Sequence, residues 1–434
     1  MLAVTGHGRG AAAALPSATV ISDGGRLERR LGLGDAVVIG AGSMVGAGVF
    51  AAWAPAAGAA GTGLLIGLVI AGVIAFCNAT SSAQLAAVHA ESGGTYVYGR
   101  EQLGPAWGHL AGWAFVVGKT ASCGAMALTV GAYLWPEQER AVGVAAVIAI
   151  ALVNIGGLTR TVAVTKVLLV VTLAALAAVV AAGWGSGEAD LGRLTPVDAG
   201  VLDVLRSAGF LFFAFAGYAR IATLGEEVRD PATTIPRAIP RALGGVLALY
   251  AVIGVTLLVV VPVDLVAASG APLRLVVEAG GFEWLGPITR VGAGIAALGV
   301  LLNLIPGVSR TSLAMARRRE LPIWFAHVDT RRSLPLRAEL TVTAVIVVLV
   351  LTLDLRGAIA LSSVTVLTYY AITNASVLTL AAEHRRWPTW VAVLGFVGCV
   401  VVAASLPLEA VVGGVAVLAL GVAIRLTSLQ FRSR

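Results

Sequence analysis

Apolar stretches of about twenty residues succeed one another along nearly all of this chain, at roughly 36–58, 63–88, 107–135, 141–157, 161–183, 201–224, 238–262, 285–315, 338–354, 357–381, 389–405 and 408–428. A helix of that length crosses the hydrocarbon core of a bilayer. Lipid offers no partner to a bare backbone group, so only helices and closed barrels span it, and these runs lack the strict alternation of barrel strands. The expected fold is an all-α polytopic membrane protein of about twelve transmembrane helices. Composition agrees: 58% of residues are hydrophobic, only 12% are charged, and the mean hydropathy is +0.92.

The formal charge of +7 does not point to nucleic acid, because the arginines fall in short connections rather than on one face. They report topology instead. Arg26, Arg29 and Arg30 precede the first span, while Arg229, Arg237 and Arg241, then Arg317 to Arg319 with Arg331 and Arg332, then Arg385 and Arg386 occupy alternate later connections. The opposite connections carry Glu137, Glu139, Glu188, Asp190, Asp264, Glu278, Glu283 and Glu409. By the positive-inside rule both termini are cytoplasmic, and the protein is expected in the cytoplasmic (plasma) membrane. Residues 1–32 read as a disordered cytoplasmic tail rather than a signal peptide, since Pro16 interrupts the short run Ala11–Ala14 and basic residues are sparse before it. Residues 33–434 then form a single transmembrane domain.

Cys77, Cys123 and Cys399 all lie in apolar spans, and the five histidines are scattered. They form no disulfide framework, metal site or catalytic constellation. No GxxxxGK[ST] loop is present, which argues against direct ATP drive, and no cofactor is implied.

The first span is irregular where a membrane helix should be most regular. Gly40 to Phe50, GAGSMVGAGVF, carries four glycines and a serine. Glycine lets the chain leave helical geometry, and unwound backbone is tolerated in a membrane only where protein buries it or it lines a wet cavity. A second interruption, FAFAGYAR around Gly217, follows five spans later. Five spans per repeat invert the second copy, so the breaks of helices 1 and 6 would face each other near the midplane. This gives a five-plus-five inverted repeat, about 33–183 and 201–381, with extra spans at about 388–428. Glycine-mediated helix packing is the competing explanation of the glycines alone.

Four blocks in order resemble the amino acid, polyamine and organocation superfamily of permeases. They are VGAGVF (Val45 to Phe50), SGGTYVYGREQLGP (Ser92 to Pro105) with Gly112 and Trp113 after it, FFAFAGYARIATLGEEVRDPATTIPRAI (Phe212 to Ile239) and SRTSLAMARRRELP (Ser309 to Pro322). The resemblance covers nearly all of the chain after the tail. It implies a secondary transporter whose substrate carboxylate sits near Gly46, Ala47 and Gly48. The amino group would meet the carbonyls of Met44 and Ala216 beside Gly217, with Phe213 at the position of a gating aromatic. Half-helix ends suit such a zwitterion, because free N–H groups attract the carboxylate and free carbonyls the ammonium.

The chain has two lysines, Lys119 and Lys166, both inside spans. Arginine keeps its proton in a protein, whereas a desolvated lysine can release it. Lys166 matches a lysine that many relatives hold beside span one, which implies a coupling or structural role; snorkelling to the interface is the alternative. For Lys119, function and burial in a wet vestibule stand level. Arg220 follows the second break, where many relatives have an acid just after the pair that is here Gly217 and Tyr218. This chain has Ala219 there. Arg220 either lines the pathway or pairs with Glu226 or Glu227.

These readings converge on secondary active transport of an amino acid by alternating access. Small or medium neutral amino acids are expected, with a proton or counter-substrate supplying the drive. The alternatives are a cationic amino acid or polyamine antiporter and, outside transport, a substrate-sensing receptor on the same fold. An enzyme is not expected, nucleic acid is not a partner, and the oligomeric state is open.

Overall fold

The computed structural model describes residues 31–46, 48–89, 94–156, 162–195, 198–218, 228–329 and 334–430. The tail expected at 1–32 therefore lies almost wholly outside the described residues, as do Ala47, Arg220, Glu226 and Glu227. Among the described residues every named element is a helix, and nine helical stretches are long and apolar enough to cross a bilayer.

Each expected span contains a helix. The first is split into α1 (Leu33–Met44), α2 (Gly48–Ala51) and α3 (Trp53–Ala60), and α4 (Leu64–Val88) returns beside it. A short helix, α5 (Thr95–Leu103), leads into α6 (Pro105–Leu134). Gly104 makes that corner at φ 102°, a conformation that favours glycine, and Pro105 fits the first helical turn because its missing N–H is not needed there. Then come α7 (Glu139–Ile155), α8 (Val162–Gly185) and α9 (Val201–Phe215).

The second half comprises α10 (Pro231–Val260), two short helices α11 (Val263–Ala268) and α12 (Pro272–Ala279), and α13 (Gly286–Arg317). It continues with α14 (Leu336–Thr352), α15 (Leu355–Leu378), α16 (Thr389–Ser405) and α17 (Leu408–Gln430). The seventh span starts seven residues before the expected 238, since Pro231 opens the helix and the polar first turns precede the apolar run. The Asp354 side chain caps α15 by accepting from the Gly357 amide at 2.8 Å.

A soluble helix hides one apolar stripe, but these helices are apolar on both sides. Val69, Leu152, Val170, Val348 and Val400 face outward beside a buried core of Val, Leu, Ala and aromatic residues, as a lipid-embedded bundle requires. Depth varies sharply among the helices. The apolar window of α6 is 89% buried and that of α17 only 11%, so α6 runs through the centre and α17 lies at the edge.

Candidate functional site

Both breaks are present, and they meet. Helix α1 stops at Met44, and the Gly46 amide turns back to the Met44 carbonyl at 2.8 Å before α2 begins. Helix α9 stops at Phe215, and residues 216–218 turn with the Tyr218 amide donating to the Phe215 carbonyl at 3.2 Å. A Cβ on Gly217 would collide with the Ser43 carbonyl, and one on Gly48 would stand 2.6 Å from the Ala214 Cα. Gly46 likewise turns its bare face to Val300 of α13. The three glycines thus allow backbone to approach backbone or a neighbouring helix where the two spans cross. Beyond the second break, Arg229 donates its amide to the Leu31 carbonyl at 2.9 Å, so the tail-side ends of spans one and six are joined as well.

Unwinding frees carbonyls, and side chains from other spans reach three of them. The Tyr250 hydroxyl, fully buried on α10, lies 2.8 Å from the Met44 carbonyl oxygen and 3.1 Å from that of Ala214. A hydroxyl has a single proton, so it serves one break at a time. Phe215 and Trp53 hold the ring at centroid separations of 5.1 and 6.4 Å. Lys119, 7% exposed on α6, donates from Nζ to the Ala216 carbonyl oxygen at 3.1 Å. Among the described residues no carboxylate forms an ion pair with it, and its ionisable neighbour is the Cys123 thiol one turn along α6. Both carbonyls expected to meet a substrate ammonium, Met44 and Ala216, therefore carry protein donors in this structure.

Phe213 is buried in the main core at the last turn of α9, and Ala216 and Gly217 form the turn beyond it. Lys166 lies elsewhere. Its Nζ pairs at 2.9 Å with Asp35 in the first turn of α1, both groups substantially exposed, so it stands beside span one but toward its tail-side end. Ala47 and Arg220 lie outside the described residues.

The sequence reading missed Tyr250 and Glu320. Tyr250 carried a signal, being a polar-tipped ring in the middle of an apolar span. Glu320 is hidden beside an arginine run read as topology, inside a block that carried the family resemblance but no role for the acid. Its carboxylate, buried at the arginine-rich end, accepts from the Tyr96 hydroxyl at 2.7 Å, from Arg100 Nη1 at 2.5 Å and from Arg425 Nη1 at 3.3 Å. His109 Nδ1 stands 3.9 Å from it, an electrostatic contact rather than a hydrogen bond. Burial works against the Glu320 charge, but His109, the Tyr96 hydroxyl and the Arg100 guanidinium outweigh it and hold the carboxyl below its ordinary value. The other ring nitrogen of His109 donates to the Gly421 carbonyl at 2.8 Å, and Trp113 donates to the Val417 carbonyl at 2.7 Å, which fastens α17 to α6.

At the opposite, carboxylate-rich end a cavity of about 520 Å³ opens between α6, α12 and the start of α13, with Glu137, Glu278, Glu283, Arg274 and Arg290 in its wall. Arg274 pairs with Glu278, and Arg290 donates to the last carbonyls of α6, at Tyr133 and Leu134. It is a polar mouth, separate from the breaks.

Comparison with known proteins decides the family. The profile of the amino acid permease family matches residues 31–422. The chain belongs to that family. It is 58% identical over 398 residues to an uncharacterized transporter of Mycobacterium tuberculosis, covering 92% of this chain and 90% of the relative. More distant are the chloroplastic cationic amino acid transporter 7 of Arabidopsis thaliana, 26% identical over 84% of this chain and 68% of the relative, and the branched-chain amino acid permease BcaP of Bacillus subtilis, 24% identical over 71% of each. This permease is a multi-pass membrane protein with two discontinuous helices, and its family is one of amino acid transporters.

Proposed function

We propose that this permease is a secondary active transporter of small or medium neutral amino acids, working by alternating access across the cytoplasmic membrane with both termini inside. The observation that carries the substrate reading is Lys119. A buried ammonium reaches the Ala216 carbonyl at the crossing of the broken spans, and the described residues supply no carboxylate to pair with it. A cationic substrate side chain brought there meets repulsion in a low-dielectric site, a penalty of several kcal/mol that even heavily screened exceeds the 1.4 kcal/mol of a tenfold affinity ratio.

The substrate carboxylate is assigned to the backbone of Gly46, Ala47 and Gly48, and the α-ammonium to the carbonyls of Met44 and Ala216 beside Gly217. Phe213 closes over the site. Either a proton or a counter-substrate supplies the drive, and Arg220 lines the pathway or pairs with Glu226 or Glu227. The protein transports without catalysing a reaction.

A cationic substrate is the second reading, favoured by the similarity to the Arabidopsis cationic amino acid transporter. Glu226 or Glu227 would then recognise the substrate. Uptake of labelled isoleucine, alanine and serine into proteoliposomes, challenged with excess arginine or putrescine, separates the two. Neutral uptake that resists both cations supports the proposal. Strong inhibition, with saturable transport of the cations themselves, replaces it with the second reading. Specific binding without flux of any of them leaves a receptor.

A further inference from the structure

The carbonyl assigned to the substrate's ammonium is already bonded to an ammonium of the protein. Lys119 reaches the Ala216 oxygen from α6, a different span, across a sequence separation of 97 residues. Its side chain is buried, and nothing else among the described residues offers it an acceptor or an opposite charge. Burying a cation against a single neutral carbonyl is unfavourable for stability alone, since charges removed from water call for pairing and full hydrogen bonding. An apolar residue at position 119 would pack at lower cost.

The carbonyl also has a requirement of its own. It lies at a helix break, where no backbone amide among the described residues donates to it, and a buried carbonyl without a donor is costly. In a loaded carrier the substrate amine supplies that donor. An empty carrier must cross the same barrier with the site vacated.

We infer that the Lys119 ammonium is a tethered stand-in for the substrate's amino group, filling the Ala216 carbonyl when the site is empty so that the unloaded carrier can change sides. This deepens the transport reading above and rests on it. The substrate amine displaces Lys119 on entry, and Lys119 returns when the substrate leaves. Net uptake needs the return of the empty carrier, whereas exchange does not. Lys119 therefore separates the two modes, acting as a positioning residue for the empty state rather than as a ligand of the substrate.

The test uses full-length protein in proteoliposomes. Net uptake of labelled isoleucine, alanine or serine is measured with no internal amino acid, and exchange with the same amino acid inside. In Lys119→Met the ratio of net uptake to exchange falls by roughly tenfold or more, the cost of a buried carbonyl left without a donor. Lys119→Ala behaves alike, and methylammonium inside the vesicles restores net uptake because its N–H groups fit the vacated carbonyl. Tetramethylammonium, which has no N–H to donate, does not. A parallel drop in both modes, or an unchanged ratio, overturns the inference.

Binding gives a readout independent of the substrate. Methylammonium raises the melting temperature of detergent-solubilised Lys119→Ala above that in sodium chloride of equal ionic strength, and it leaves the parent protein unmoved. Absence of both rescue and stabilisation overturns the ammonium site itself. A parent protein that moves none of the amino acids overturns the transport reading, while stabilisation by methylammonium still upholds the site.

Discussion

Glu320 and Lys119 are both buried charges, satisfied in opposite ways. Glu320 collects three donors, from Tyr96, Arg100 and Arg425, and stands where α5, α13 and α17 converge at the arginine-rich end. Around it a second apolar cluster closes, including Leu85, Tyr98, Met315 and Leu380. Among the described residues Lys119 has one carbonyl. A charge shared among several donors holds elements in place, and its replacement removes several contacts at once. A charge with a single neutral partner can exchange that partner for another. The difference separates a fastening from a working group.

The largest expected effect lies at the fastening. Glu320→Ala removes the carboxylate that Tyr96, Arg100 and Arg425 share, and removing one partner of a buried pair costs about 3–5 kcal/mol, toward the lower end here because Arg100 is partly exposed. Thermal unfolding in detergent should show it, whereas Lys119→Met should cost less than half as much. Equal destabilisation would dissolve the distinction. The Glu320 contribution also has a definite pH sense. Its folded carboxyl titrates below the ordinary 4.5, so the stability it confers is fully present above that value and is lost as pH falls through the lower folded one. The Glu320→Gln variant should flatten the melting temperature in that acid window.

Next in size is the crossing of the breaks. Gly217→Ala forces a methyl group into the Ser43 carbonyl, and because the obstacle is backbone rather than a movable side chain, the two spans must separate. Overpacking of this kind costs about 1–3 kcal/mol, and transport should fall roughly tenfold to a hundredfold while the protein still folds. Gly245→Ala, where an added methyl group meets nothing within 4 Å, serves as the comparison. If Gly217→Ala transports normally, close approach at this point is not what the site requires.

The breaks were legible because glycine-rich sequence is conspicuous against long apolar runs, and the spans because a bilayer demands a fixed length of each. What fills the broken backbone was not legible. Tyr250 meets Met44 across 206 residues and Lys119 meets Ala216 across 97, and sequence spacing within one helix carries no information about such pairs. Glu320 was obscured for a related reason: Arg317 to Arg319 read as a topology signal, and the acid beside them reads as solvated until α5 and α17 are packed against it. Helices α11 and α12 went unannounced because neither is long enough to span. The placement of Lys166 next to span one was anticipated, but its Asp35 partner was not.

A smaller effect is expected where one hydroxyl is shared. Tyr250→Phe removes a proton that reaches Met44 or Ala214 but never both, so it leaves at most one further carbonyl without a donor. The cost is about 1–3 kcal/mol, and it should slow transport by roughly tenfold with the melting temperature only modestly lowered. A variant that transports as the parent does would mean that the hydroxyl only fills space between the rings of Phe215 and Trp53.

The smallest effect separates the two lysines. Lys166 is about half exposed and is tied to Asp35 at 2.9 Å, and exposed pairs of this kind contribute about 0–1 kcal/mol. Asp35→Asn and Lys166→Arg should therefore change the melting temperature little. A positive charge at position 166 suffices for the pair, so the arginine variant should keep most of the transport driven by a pH gradient. If Lys166 instead hands over a proton, arginine cannot replace it, because its guanidinium does not deprotonate in a protein. Accumulation would then fail in Lys166→Arg as fully as in Lys166→Ala. Measuring both variants with and without the gradient decides between them. Retention in the arginine variant leaves Lys119 as the lysine that acts at the site and Lys166 as a tie between α1 and α8, while loss in both moves the proton to the tail-side end of span one.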